Sequence, residues 1–121
     1  MPSRERVQAL VDYVEQRREV EALREFYAED AQTHENGAAP TVGLDALVER
    51  EQRFLASVAT MHISRAVSFV VEGDRVAINW IFEYTSANGQ RIHLDEIAYQ
   101  QWVDDRIVHE RYYYDTATLR I

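Results

Sequence analysis

Residues 26–38 read FYAEDAQTHENGA, and within that stretch His34, Glu35 and Asn36 stand side by side, each able to hold or pass a proton. On a surface loop they would be solvated filler, the usual fate of a polar run. Turned into an apolar cavity, Glu35 would be a general base, because burial raises a carboxyl pKa toward the pH at which it must work. Glu96 and Glu110 are two further carboxyls that alternate at strand spacing with Gln100, Tyr112 and Tyr114. A tyrosine hydroxyl in such a group can donate a hydrogen bond to a developing oxyanion. Glu35, Tyr112 and Glu110 are therefore the candidate catalytic groups. Glu96, Gln100 and Tyr114, with the aromatic walls Phe54, Trp80, Phe82 and Trp102, are the candidate substrate contacts. The competing reading leaves the glutamates in water at the cavity mouth or pairs them with Arg65, the internal cation expected on a neighbouring strand; the aromatics would then be plain core.

Other chemistries find less support. His93, Asp95 and His109 could share one sheet face, but such groupings are mostly solvated or interfacial, so no metal site is expected. The chain has no glycine-rich phosphate loop, serine nucleophile motif or zinc-binding helix motif, and no cofactor is expected. Without cysteine, disulfides and thiol catalysis are excluded. The net charge of −8 argues against a nucleic-acid partner, whose phosphates call for clustered Lys and Arg. No apolar run approaches the roughly 18 residues that span a bilayer, and MPSRERVQ carries charge where a signal peptide is apolar, so a cytoplasmic protein without a membrane partner is expected. The expected partner is a small apolar or aromatic ligand.

The elements that must position these residues follow from periodicity. At 121 residues one domain, 1–121, is expected. Val7, Leu10, Val11 and Val14 form a helical stripe behind Ser3, a good cap; Val20, Leu23, Phe26 and Tyr27 resume it as a second helix or a continuation after a kink. After the loop GAAPTVG, Leu44, Leu47, Val48, Phe54, Leu55 and Val58 mark a third helix. From residue 61 the period becomes two: Met61, Ile63, Val67, Phe69 and Val71 are followed across a Gly73-Asp74 turn by Val76, Ile78, Trp80, Phe82 and Tyr84, and the two sets are expected to share a face. Hairpins at 86–90 and 102–106 each admit a two- or three-residue loop. The three-residue form is preferred at both because it collects the aromatics: Trp80 and Phe82 with Leu94 and Glu96, and, with Trp102 opposite Arg106, Glu96, Ala98 and Gln100 with Glu110, Tyr112 and Tyr114. The architecture is α+β, three N-terminal helices on the concave face of a curved antiparallel sheet.

FYAEDAQTHENG, the PTVG loop leading into a helix and the closing DEIAYQQWVDDRIVHERYYYD together resemble the SnoaL-like polyketide cyclase branch of the nuclear-transport-factor-2-like superfamily, over nearly the whole chain. The resemblance implies a cone-shaped fold with a pocket at its open end and dimerisation through the outer sheet face, here carrying His93, Asp95, Ile97, Tyr99, Arg111 and Tyr113. It implies an activity among cyclases, isomerases and epoxide hydrolases, or a non-catalytic binding role. The isomerases' catalytic carboxylate carries over onto Glu35. Their oxyanion-binding tyrosine and aspartic acid do not, falling near Val11 and on Ala98; the acidic groups of the cyclases and epoxide hydrolases fall near Tyr112.

Overall fold

The structure, a computed structural model, describes residues 1–118; residues 119–121 of the expected domain lie outside them. Ser3 accepts a hydrogen bond from the Arg6 amide at 3.0 Å and opens α1 (Arg4–Glu15), which buries Val7, Leu10 and Val11. Arg17, in the left-handed region at φ 65°, breaks the chain, so α2 (Glu19–Phe26) is a separate helix and not a continuation. Tyr13 meets Phe26 edge to face at 5.2 Å across that break. α3 (Leu44–Ala56) starts behind Gly43, whose φ of 94° is open to glycine and strained for other residues. Among the described residues no helix is long and apolar enough to cross a membrane.

The sheet has six strands: β1 (Tyr27–Glu35), β2 (Thr41–Val42), β3 (Val58–Glu72), β4 (Arg75–Ser86), β5 (Arg91–Val103) and β6 (Arg106–Tyr113). Their order is β2-β1-β6-β5-β4-β3. The antiparallel sheet expected is present from β3 to β6 and is extended by β1, which runs parallel to β6 and makes the whole sheet mixed. The core between helices and sheet contains Phe26, Leu47, Ile78, Trp80, Trp102 and Ile107.

Register decides which side chains reach the site. Between β4 and β5 the loop is Ala87-Asn88-Gly89; Trp80 lies opposite Glu96 and Phe82 opposite Leu94, the preferred alternative. Only Gly89 of that loop has positive φ, as a three-residue loop requires and a two-residue Asn-Gly turn does not. The last hairpin differs from expectation. Asp104 and Asp105 both take positive φ, 49° and 64°, and form a two-residue turn, so Trp102 faces Ile107 and not Arg106. Arg6 donates to the Asp105 carbonyl at 3.1 Å, which anchors the turn to α1. One residue later a bulge shifts the register, so Gln101 pairs with His109 and Gln100 with Glu110. The bulge adds the residue that the longer loop would have supplied, and Glu110 and Tyr112 keep the face of Glu96 and Gln100.

β3 brings a second correction. Irregularities between Val58/Thr60, Met61/Ile63 and Ala66/Ser68 each reverse the strand's alternation. Met61, Phe69 and Val71 face inward opposite Tyr84, Ile78 and Val76, but Ile63 and Val67 turn out and are 37% and 52% exposed. Arg65 pairs with Ile81 on the outer face and is exposed, so it is not the internal cation.

Candidate active site

A cavity of about 300 Å³ opens between the three helices and the inner face of the sheet. Its walls are mostly apolar: Leu10, Val14 and Leu23 from α1 and α2, Leu47 and Phe54 from α3, and Met61, Phe82 and Leu94 from the strands. Trp80 and Phe82 stack at 5.5 Å with their rings 18° apart, giving the sheet side a flat aromatic shelf. Set into these walls are Glu35 on β1, Glu96 and Gln100 on β5, Tyr112 on β6, and Arg50 and Glu51 on α3.

The carboxyls are held in three different ways. Glu35 sits 3.4 Å from the Arg50 guanidinium and accepts a hydrogen bond from the Tyr114 hydroxyl at 3.3 Å. Burial still raises its pKa, against Arg50 and Tyr114, which lower it. Glu96 is 6% exposed and takes no hydrogen bond on its carboxyl from any described residue. Burial first, then the neighbouring Glu35, Glu110 and Glu51, push it up to about 9, so it is a neutral acid at pH 7. Glu110 lies behind the cavity wall, 1% exposed and saturated with donors: Tyr27 at 2.5 Å, Tyr112 at 2.6 Å and Gln100 at 2.6 Å. Gln100 in turn accepts from the Trp102 indole at 2.9 Å. Burial raises Glu110 against those three bonds.

The residues singled out by sequence therefore separate. Glu35, Tyr112, Phe54, Trp80, Phe82, Glu96 and Gln100 line the cavity together. Tyr114 is not a wall residue but reaches Glu35 through its hydroxyl, and Asn36 sets it there: the Asn36 side-chain oxygen accepts from the Tyr114 backbone N–H at 3.0 Å, and the Asn36 backbone N–H donates to the Tyr112 carbonyl at 2.8 Å. Glu110 and Trp102 are one layer too deep to touch a ligand; Trp102 is fully buried core. His34, flanked by inward Thr33 and Glu35, makes its contact with the Ala38 carbonyl at 3.0 Å and packs against His109 with the rings tilted by 46°, so it does not hold Glu35. The outer-face trio is drawn to other partners: His93 lies 3.5 Å from Glu83, Asp95 accepts from Asn79, and His109 packs on His34.

Sequence reasoning missed Arg50 and Glu51, the cation of the site and a fourth carboxyl. Burial, then Glu19, raises Glu51 to about 7. The signal was present: Leu47, Arg50, Glu51 and Phe54 fall at i, i+3, i+4 and i+7, one face of α3. Tyr27, Thr33 and Glu19, also wall residues, had no comparable marker.

A curved sheet roofed by three helices, with a pocket lined from both layers, defines the nuclear-transport-factor-2-like class. Within that class, the family model for SnoaL-like polyketide cyclases matches residues 5–120, and the chain belongs to that family. Solved structures agree in fold. A protein assigned as a SnoaL-like polyketide cyclase from Mesorhizobium loti is 23% identical, with 94% of this chain and 100% of that one covered at a TM-score of 0.80. A protein with a ketosteroid isomerase-like fold from Catenulispora acidiphila, in complex with trimethylamine, is 16% identical, covering 98% and 91% at 0.79. An epoxide hydrolase of the LEH-like type from M. tuberculosis is 14% identical, covering 95% and 84% at 0.76. No curated protein matches the chain.

Proposed function

We propose that the cavity catalyses proton transfer on an apolar, carbonyl-bearing small molecule, as an isomerase or cyclase without a cofactor. The observation that carries this reading is a pair of differently tuned carboxyls facing one apolar space: Glu35, with a cation and a hydroxyl on it, and Glu96, with neither. Arg50 favours the ionised form of Glu35, so Glu35 is the base that takes a proton from the carbon next to the carbonyl. Charge then develops on the carbonyl oxygen. Glu96, a buried acid still protonated at neutral pH, donates a hydrogen bond to it. Glu35 returns the proton to a different carbon in an isomerisation; in a cyclisation the enolate carbon bonds to a second carbonyl carbon, whose oxygen takes the proton. The oxyanion role expected of Tyr112 passes to Glu96, because the Tyr112 hydroxyl already donates to Glu110.

The test is deuterium exchange from solvent into the acidic C–H positions of apolar ketones such as 2-tetralone, followed by proton NMR at neutral pH. Wild-type protein should accelerate exchange, and Glu35→Gln should lose about 10²–10⁴-fold of it while keeping its fold. Wild-type exchange no faster than that of Glu35→Gln across a ketone panel would refute the reaction and favour a non-catalytic binding module.

We also propose a homodimer through the outer sheet face, supported by Ile97, Tyr99, Val103 and Tyr113, which are 40%, 42%, 49% and 49% exposed. Light scattering on a sizing column should give a dimer mass at tens of micromolar, and Tyr99→Glu with Tyr113→Glu should halve it. A monomeric wild type would end this part of the reading.

A further inference from the structure

Carboxyls outnumber basic residues around the cavity. Glu19, Glu35, Glu51 and Glu96 line it, and Arg50 is the only basic residue among the lining residues described. Arg50 is engaged by Glu35, and Glu19, the first residue of α2, pairs with Arg17, two residues before it. Glu51 has no hydrogen-bond donor, and Glu96, buried to 6% exposure and aimed into the cavity, has none either. Glu110 shows what this fold supplies when a buried carboxyl is meant to be self-contained: three donors within 2.6 Å. Two wall carboxyls are left bare in a largely apolar space, and a ligand would supply their partners: an acceptor for protonated Glu96, donors or a charge for Glu51. Glu96 is placed for the reacting oxygen. Glu51, one turn from Phe54 on α3 and lining the same cavity as the Trp80–Phe82 shelf, remains.

We propose that the substrate carries a cationic amine, bound by the Glu51 carboxylate and by the aromatic faces lining the cavity. This rests on the reading of the cavity as the reaction site and narrows its substrate class to a carbonyl compound whose otherwise apolar body carries one ammonium group. Aromatic faces attract ammonium groups through the ring quadrupole, most strongly where water is excluded. A cation also resolves the environment of Glu51. Its surroundings are Arg17 and Glu19 by the start of α2, Tyr27 and Glu35 on β1, Arg50 beside it on α3, and Glu96 on β5; burial, then Glu19, hold its pKa at about 7. An ammonium placed there makes the ionised form the stable one, so binding releases a proton and tightens as pH rises.

The experiment compares phenyltrimethylammonium with tert-butylbenzene, which differ only in N⁺ for C, by tryptophan fluorescence titration from pH 6 to pH 8. The charge of the first is fixed, so any pH dependence belongs to the protein. Its affinity should rise about tenfold over that range, the limit for one group titrating near 7 whose ionised form alone binds. The hydrocarbon's affinity should stay flat or fall. Glu51→Gln should flatten the cation's pH profile and remove most of its advantage, and Glu51→Asp should restore both in part. A cation that fails to bind, that follows the hydrocarbon's pH profile, or that keeps its own profile in Glu51→Gln overturns the assignment. The two readings fail separately: charge-selective binding without Glu35-dependent exchange sinks the reaction alone, and Glu35-dependent exchange with no preference for charge sinks the amine alone.

Discussion

Replacing Glu96 by Gln should stabilise the protein, increasingly so as pH rises. In the unfolded chain this carboxyl releases its proton near the ordinary value of 4.5, and in the folded protein near 9. Between those values the native state holds a proton that the unfolded state has lost, so stability falls by about 1.4 kcal/mol for each pH unit. A raised carboxyl pKa thus has its contribution intact below 4.5 and loses it progressively up to about 9. At pH 7 the accumulated cost is about 3 kcal/mol, a large share of a typical domain's stability. The Glu96→Gln amide has the same shape and no charge to desolvate. Urea melts at pH 5, 6, 7 and 8 should give nearly equal stabilities at pH 5 and a gap in favour of the variant that widens by about 4 kcal/mol by pH 8. A gap that does not change with pH, or a variant less stable than wild type at pH 8, would refute the claim that Glu96 is folded into the wall as a neutral acid.

Trp80 and Trp102 should report ligand differently. Trp80→Phe should abolish most of the fluorescence change on binding an apolar ligand, and Trp102→Phe should preserve it, because Trp102 is fully buried beneath the cavity; the reverse result would place the ligand elsewhere. Glu110→Ala should cost about 3 kcal/mol or more in a urea melt, since the hydroxyls of Tyr27 and Tyr112 and the Gln100 amide lose their common acceptor. Glu110→Gln should cost less but not zero: its amide meets the Gln100 amide donor to donor, and flipping Gln100 would set its nitrogen against the Trp102 indole.

The helices and the antiparallel hairpins were legible because their periods are written in side chains: Val7, Leu10 and Val11 at 3.6, and Val76, Ile78 and Trp80 at two. Glu35 was legible as a candidate through the resemblance, and Glu96 and Gln100 through alternation. β1 was not. Its buried positions are Tyr27, Ala31 and Thr33, too small and too polar to show an apolar rhythm, and its parallel partner lies at the other end of the chain. Arg65 was misplaced for a different reason. The bulge between Ala66 and Ser68 reverses the strand's faces, and no residue type announces such an insertion. The same physics led to a correct result in β6 by an unforeseen route, since the bulge after Ile107 offsets the shorter turn and returns Glu110 and Tyr112 to the expected face. Arg50 and Glu51 were overlooked although their spacing with Leu47 and Phe54 was visible, because charged residues on a helix usually mark its solvated side.

The parallel pairing of β1 with β6 ties together segments from opposite ends of the chain: Glu35 lies beside Tyr112, whereas β3 to β6 follow one another across tight turns. Closing a long loop is entropically slow compared with zipping adjacent hairpins. The meander can therefore assemble early, and docking of β1 should come late in the folding reaction. Glu35 and Glu96 come to face a common space only through that last step, so chemical competence appears after the bulk of the secondary structure. In a refolding experiment, ligand binding should lag behind the far-ultraviolet signal, and during synthesis the pocket cannot form until the residues of β6 have left the ribosome.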